Sequence, residues 1–247
     1  MPAISALAEQ MSLVLNDQYV AGLWRKDIIR GLLWQTLKDD PNFPARRIKG
    51  PYVAPSWSWA SIHPGLVFAL FSKTLHHGIL SGNSDVIITD SRILPYDQVE
   101  ELPVGAGSDI EILSIQCPTA GKNPFGQIRC GIIRLNGYTR DAAWKASSDG
   151  LYDCILHTRI GTLDFDEKPV PYYGKIDIRC LYIARYIPSS GEACFVGSSE
   201  DTQRFGKCIC LALMPAGLRD NEYRRVGIAQ IDYWKWEQEE KKELLLV

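Results

Sequence analysis

The first hydrophobic pattern along the chain is helical: Ile4, Leu7, Ala8, Met11 and Val14 predict a helix over residues 3–15 that ends near Asn16. Asp17 is placed to cap the turn that follows. Tyr19 to Trp24 and Asp27 to Leu37 read as two further short helices, because Leu23, Ile28, Leu32 and Leu33 can share one buried stripe. Asp39 to Pro51, rich in Pro, Arg and Lys, reads as a loop. From Trp57 onward the period changes to two. β-type runs are predicted over 65–71, 84–94, 109–117, 125–138, 151–159, 172–187, 193–198, 206–214 and 224–232, separated by Gly, Pro, Asn, Asp or Ser. The alternation is longest in Lys175 to Tyr186, a strand long enough to bend round a barrel or pass between two sheets. The charged run Glu237 to Glu243 is expected to be a solvated turn before a final strand. The pattern therefore predicts a mainly β protein, an antiparallel barrel or sandwich with a small N-terminal helical segment. It is expected to form a single domain over 1–247, with a helical entry at 1–40 and a β-rich body at 52–247.

Composition narrows the function classes. With 27 basic and 29 acidic side chains the net charge is −2, so no long-range field recruits nucleic acid or anionic lipid. No stretch approaches the roughly 20 apolar residues of a membrane span, and the first fifteen residues lack the basic start and cleavage site of a secretory signal. A cytoplasmic protein is expected. The seven cysteines include no CxxC pair, and Cys208 and Cys210, on one face of a strand, read as small buried hydrophobes.

Motifs of cofactor chemistry do not occur. The chain has neither a glycine-rich phosphate loop nor a Gly-x-Ser-x-Gly elbow, and its four histidines, His63, His76, His77 and His157, have no metal-ligand spacing. The pair His76-His77 reads as a surface loop. Among the carboxylates, Asp85, Asp90, Asp164, Asp166, Asp177 and Asp232, no spacing selects an acid/base pair, and Asp164-Phe165-Asp166-Glu167 is assigned to a turn. No cofactor and no metal are expected.

The most distinctive stretch is Tyr52-Val53-Ala54-Pro55-Ser56-Trp57-Ser58-Trp59-Ala60-Ser61. Led by Pro, it reads as the start of a strand with Trp57 and Trp59 on one face and Ser56, Ser58 and Ala60 on the other. Upstream lie Tyr19-Val20-Ala21-Gly22-Leu23-Trp24 and Leu32-Leu33-Trp34. In this order the three segments resemble the region that follows the catalytic domain of fungal heterokaryon-incompatibility (HET) proteins. Glu222 to Ile228 and the apolar Leu244 to Val247 resemble the close of such proteins. The HET domain expected before Tyr19 is not in this sequence, which has about eighteen residues there.

Stand-alone fungal proteins that resemble this region are linked to specialised metabolism. The resemblance thus implies a cofactor-independent cyclase acting on an apolar polyene, terpenoid or polyketide, with an intramolecular Diels-Alder reaction as the step expected. Such a step needs a shaped apolar cavity and one donor; holding two reacting ends together supplies up to about 7 to 11 kcal/mol. The aromatic inventory, seven Trp, eleven Tyr and seven Phe, is the matching positive signal. Candidate substrate-binding residues are Trp59, Tyr138, Trp144, His157, Tyr186, Tyr223 and Arg224, with no catalytic residue assigned. The alternative is a non-enzymatic recognition module derived from a HET protein, which predicts exposed apolar surface. A structural fragment of a larger protein is a third reading.

Overall fold

The first helix forms where the spacing places it, α1 at Pro2–Leu15, and stops where Asn16 turns to a left-handed φ of 47°. A computed structural model describes residues 2–36, 46–63, 67–69, 110–167, 174–186, 194–196, 203–205, 207–217, 219–232 and 240–247. The next segment is not the expected helix but a tight hairpin, β1 (Tyr19–Val20) paired with β2 (Leu23–Trp24). Its two turn residues, Ala21 (φ 51°) and Gly22 (φ 96°), both take positive φ, the signature of a two-residue primed turn. Asp17 closes the base, its carboxylate accepting from the Gln18 and Lys26 amides. The third expected helix shortens to one turn, α2 (Ile28–Gly31), because Trp34–Thr36 extend as β3. Val20, Leu23, Ile28, Leu32 and Leu33 still share one buried cluster, so the apolar stripe was sound and its backbone was not.

Two further short pairs follow. β4 (Arg46–Arg47) pairs with β5 (Ile62–His63), and β3 pairs with β6 (Val67–Ala69). The body is an eight-stranded sheet. It contains β7 (Ile110–Gln116), β8 (Ile132–Lys145), β9 (Gly150–Asp153), β10 (Arg159–Phe165) and β11 (Lys175–Tyr186). A small separate hairpin joins β12 (Cys194–Val196) to β13 (Gln203–Phe205). β14 (Lys207–Pro215), β15 (Glu222–Asp232) and β16 (Lys241–Leu246) complete the sheet. All its pairings are antiparallel except β15 with β16, and the sheet is ring-like: β8, β11, β14, β15 and β16 return to β8, while β9 and β10 link β8 to β15 on the other side.

β14 explains how one sheet serves two cores. Ile209, Leu211 and Leu213 point into one apolar cluster with Ile133, Leu135 and Leu246; Cys208, Cys210 and Ala212 point into a second with Leu151, Ile160 and Ile231. Period-two alternation with both faces buried reads as a continuous apolar run, which is what Cys208 to Leu213 is. Cys208 and Cys210 are on one face as expected, and burial pushes the Cys210 thiol pKa well up.

Several sequence readings shift. The run expected at 125–138 starts at Ile132 and continues to Lys145. The run at 151–159 ends its strand at Asp153, where β9 turns, and a separate strand, β10, begins at Arg159 and runs to Phe165, so Asp164 and Phe165 lie on β10 and not in a turn. The runs at 65–71, 109–117, 172–187, 193–198, 206–214 and 224–232 correspond to β6, β7, β11, β12, β14 and β15, and the final strand is β16. The charged run ends within that strand, at Lys241 to Glu243. The expected strand at 84–94 and His76-His77 lie outside the described residues.

The largest local correction falls on the double-tryptophan motif. Residues 55–58 make a turn, and Trp59–Ser61 form a single 3-10 turn capped by Ser58, whose hydroxyl accepts from the Ala60 amide. Trp57 and Trp59 therefore do not share a face. Trp57 is fully buried in the first core, its indole N–H donating to the Gly131 carbonyl at 3.3 Å. Trp59 turns to the hairpin and donates to the Gly22 carbonyl at 2.8 Å. At Gly22 a Cβ would sit 2.9 Å from the Trp59 indole nitrogen, so the Ala-Gly turn and the second tryptophan are fitted to each other.

Candidate functional site

Where the hairpin, α1 and the motif meet they enclose an apolar cleft of about 290 Å³ on the outside of the sheet. Trp59 and Ala60 form its floor, Tyr19 and Gly22 one side, Ile4 and Ser5 of α1 another, and Phe125 to Ile128 the far wall. Ser5 Oγ–H donates to the Phe125 carbonyl at 2.8 Å, and Gln127 Nε2–H donates to the Tyr52 carbonyl at 3.1 Å, so α1 and the motif both anchor that wall. The Tyr19 ring meets Trp24 edge-on at 5.3 Å and Phe125 at 6.3 Å. Its hydroxyl has no hydrogen-bond partner among the described residues, and burial raises its pKa. It stays protonated and can donate to a guest.

Behind the cleft runs a polar network. Asp166, just past β10, accepts from Arg225 Nη2 through Oδ1 and from Arg47 Nη2 through Oδ2, both at 2.9 Å. Arg47 also donates to the Ser56 carbonyl, the Ser61 hydroxyl and the Arg225 carbonyl. Arg225, completely buried, lies 3.4 Å above the Trp34 ring and donates to the Trp34 carbonyl. Its Nε and Nη1 atoms have no hydrogen-bond partner among the described residues, and burial lowers its pKa to about 10. Ser56 then ties the parallel strands together: its amide and hydroxyl donate to the Val247 main-chain oxygen, and its hydroxyl accepts from the Arg225 amide. The motif is thus a clasp between the hairpin, the buried arginines and the last strand.

No protein-family model, curated protein or solved structure matches this chain. The chemistry available must therefore be read from these residues alone.

Of the expected site residues whose side chains are described, only Trp59 reaches the cleft. Trp144 is buried in the second core, edge-on to Phe165 at 5.0 Å with its indole N–H on Asp149. Tyr138 packs against the outside of that core, with the Lys241 ammonium 5.0 Å from its ring. Tyr223 belongs to the first core and its hydroxyl accepts from Arg179. Arg224 is exposed on β15, beside the buried Arg225. Tyr186 ends β11 opposite Lys207; of its side chain nothing is described. His157 is exposed at a left-handed turn position (φ 56°), its amide on the Asp153 carbonyl. The six whose side chains are described do not converge.

Sequence reasoning missed Arg47 and did not single out Tyr19 or Asp166, whereas the arginine pair at 224–225 was among its candidate donors. For Arg225 a signal existed: strict alternation from Tyr223 places it on the inward face. Among the described residues no group of three or more His, Cys, Asp or Glu side chains is arranged to hold a metal, and no helix is long and apolar enough to cross a membrane.

The His157 turn carries one pH prediction. Asp153 accepts from the Leu156 and Ile155 amides at 2.6 and 2.7 Å and from Arg140, and these bonds lower its pKa, the Leu156 amide most. A depressed carboxylate adds stability that is complete above its unfolded pKa and is lost as the pH falls through the folded one. Asp153→Asn is expected to flatten the acid limb of the stability profile, read as urea midpoints from neutral pH down to about 3.

Proposed function

We propose that this chain is a recognition module derived from a HET protein, and that α1 with its adjoining cleft is the surface that meets the partner. The single observation that carries the reading is an apolar stripe: Ile4, Leu7, Met11 and Val14 fall on one face of α1, with Leu7 64% and Val14 78% exposed, while Ala8 beside them is buried. Ile4 is also part of the cleft, so the stripe runs into it. Exposed aliphatic residues so arranged mark an interaction surface. The partner the resemblance points to is a HET domain, which precedes this region in HET proteins. We read the twice-closed sheet as a pair of small fused barrels, the rigid support behind that surface.

The cyclase reading draws on one specific feature, the unpaired Tyr19 hydroxyl in an apolar cleft. It has less support from the interior. Leu135, Leu181, Leu211 and Ile231 are wholly inaccessible, so the two cores are filled around them.

The test uses sedimentation of the purified chain mixed with a purified HET domain. A complex is expected, and Leu7→Glu with Val14→Glu weakens it at least tenfold, since each buried aliphatic contributes about 1.5 to 3 kcal/mol and 1.4 kcal/mol is tenfold. Circular dichroism should be unchanged. The proposal fails if no complex forms, or if the chain converts a conjugated polyene to a cyclic product and Tyr19→Phe slows that conversion; that outcome moves the assignment to the cyclase.

A further inference from the structure

The far wall of the cleft is a hairpin with a cysteine at each foot. Beyond β7 the chain continues through Cys117, turns at 121–126 and returns through Cys130 to β8. The Ala120 amide donates to the Gln127 carbonyl at 2.7 Å and the Arg129 amide to the Pro118 carbonyl at 2.8 Å, with Thr119 bridged to Ile128. Counting back along this antiparallel register places Cys130 opposite Cys117, at a position without a hydrogen bond between the pair. Gln116 pairs with Ile132, one residue out of that count, so Cys130 and Gly131 together face Cys117 as a bulge. In a regular ladder, residues facing each other at such positions have Cα atoms about 4.5 Å apart, and the ~4.4 to 6.8 Å range that a disulfide spans leaves room for the displacement of the bulge. The two thiols also feel each other. Burial, then Cys130, pushes the Cys117 thiol up to about 11; burial, then Cys117 and Cys130, pushes the nearby Tyr52 phenol up to about 12.

We propose that Cys117 and Cys130 form a peroxide-responsive disulfide that locks the Phe125 to Ile128 wall of the cleft. Both cysteines carry free thiols here, Cys117 half-buried and Cys130 exposed. Exposure makes Cys130 the attacking group. Its thiolate attacks one oxygen of hydrogen peroxide, breaking the O–O bond, releasing hydroxide and leaving a sulfenic acid. The Cys117 thiol then attacks that sulfur, the S–S bond forms and the sulfenic oxygen leaves as water. With hydrogen peroxide, two thiols and one peroxide give one disulfide and two waters. The closed loop cannot splay from α1, so an apolar guest meets a preorganised wall. This consequence names a regulation of the recognition cleft and rests on that reading; the crosslink does not.

The experiment treats the purified full chain with hydrogen peroxide and maps its peptides without reduction. The expected result is a crosslinked peptide pair joining Cys117 to Cys130, reversed by dithiothreitol and lost in Cys130→Ser, an exposed and mild substitution. Anilinonaphthalene sulfonate serves as the cleft probe, and its affinity is expected to rise severalfold on oxidation in the parent chain and not in Cys130→Ser. Oxidation of Cys130 to sulfinic acid without a crosslink, or a crosslink to another cysteine, overturns the disulfide. A crosslink that leaves probe affinity unchanged overturns the wall-locking role. Neither result depends on whether a HET domain binds, so the two proposals fail separately.

Discussion

Replacing Asp166 by alanine is expected to destabilise the fold by about 3 to 5 kcal/mol, the cost of leaving a buried charge without its partner. Here two guanidinium groups lose one carboxylate. Arg225 is already underserved, with two nitrogens unpaired and its pKa lowered to about 10 by burial. Its remaining support would be the Trp34 ring and carbonyl. Arg47, partly exposed, can find water. The penalty therefore falls mainly on Arg225, which makes a second variant informative. Arg225→Met in the Asp166→Ala background should recover part of the loss, because a buried apolar chain of similar length carries no unpaired charge. The measurement is the urea midpoint at unchanged slope for both variants and for Arg225→Met alone. Equal losses in the single and double variants would show that Asp166 acts through local packing and not through the arginines; the Thr36 hydroxyl, which donates to the Asp166 main-chain carbonyl, keeps its acceptor in both.

Much of the fold was legible because period two survives burial. In β14 each residue's face from Cys208 to Leu213 could be read from its neighbours, and the ends of β14 and β15 fall within two residues of expectation, those of β11 within three. The N-terminal hairpin was illegible for a physical reason. Leu23, Ile28, Leu32 and Leu33 have helical spacing, but Ala21 and Gly22 take left-handed φ and fold the chain back before a turn of helix can close. The Ala-Gly pair was the available cue. β10 was missed because Gly161 interrupts its alternation, and so Asp164 and Phe165 were left in a turn. The site was less legible than the fold. Trp144 and Tyr223 are large aromatic residues in strands, and such residues fill cores more often than they line cavities. Tyr19 stood in a motif but carried no sign of a site; its position depends on a turn, a helix and the 118–129 hairpin arriving together.

The two tryptophans of the motif provide the second large effect, because their surroundings predict opposite behaviour from the same substitution. Trp57→Ala should remove about 3 to 5 kcal/mol, the range for truncating a large buried aromatic side chain. Nothing nearby can collapse into the space. Gly131 offers no side chain, and a Cβ there would lie 2.6 Å from Pro55 Cγ and 3.0 Å from Trp57 Cζ2, so the backbone is already pressed against the indole. The same change frees the Gly131 carbonyl of its donor and disturbs the Trp57 carbonyl that accepts from Trp34 at 2.9 Å, reaching the ring beneath Arg225. Trp59→Ala instead removes a half-buried ring from the cleft floor and one bond to the Gly22 carbonyl, for about 1 kcal/mol of hydrogen bond. Thermal unfolding should separate the two variants, and apolar-probe binding should reverse their order, with Trp59→Ala losing the probe while still folded. A result in which Trp59→Ala unfolds the chain as completely as Trp57→Ala would make the cleft part of the clasp and remove its claim to be a separate site.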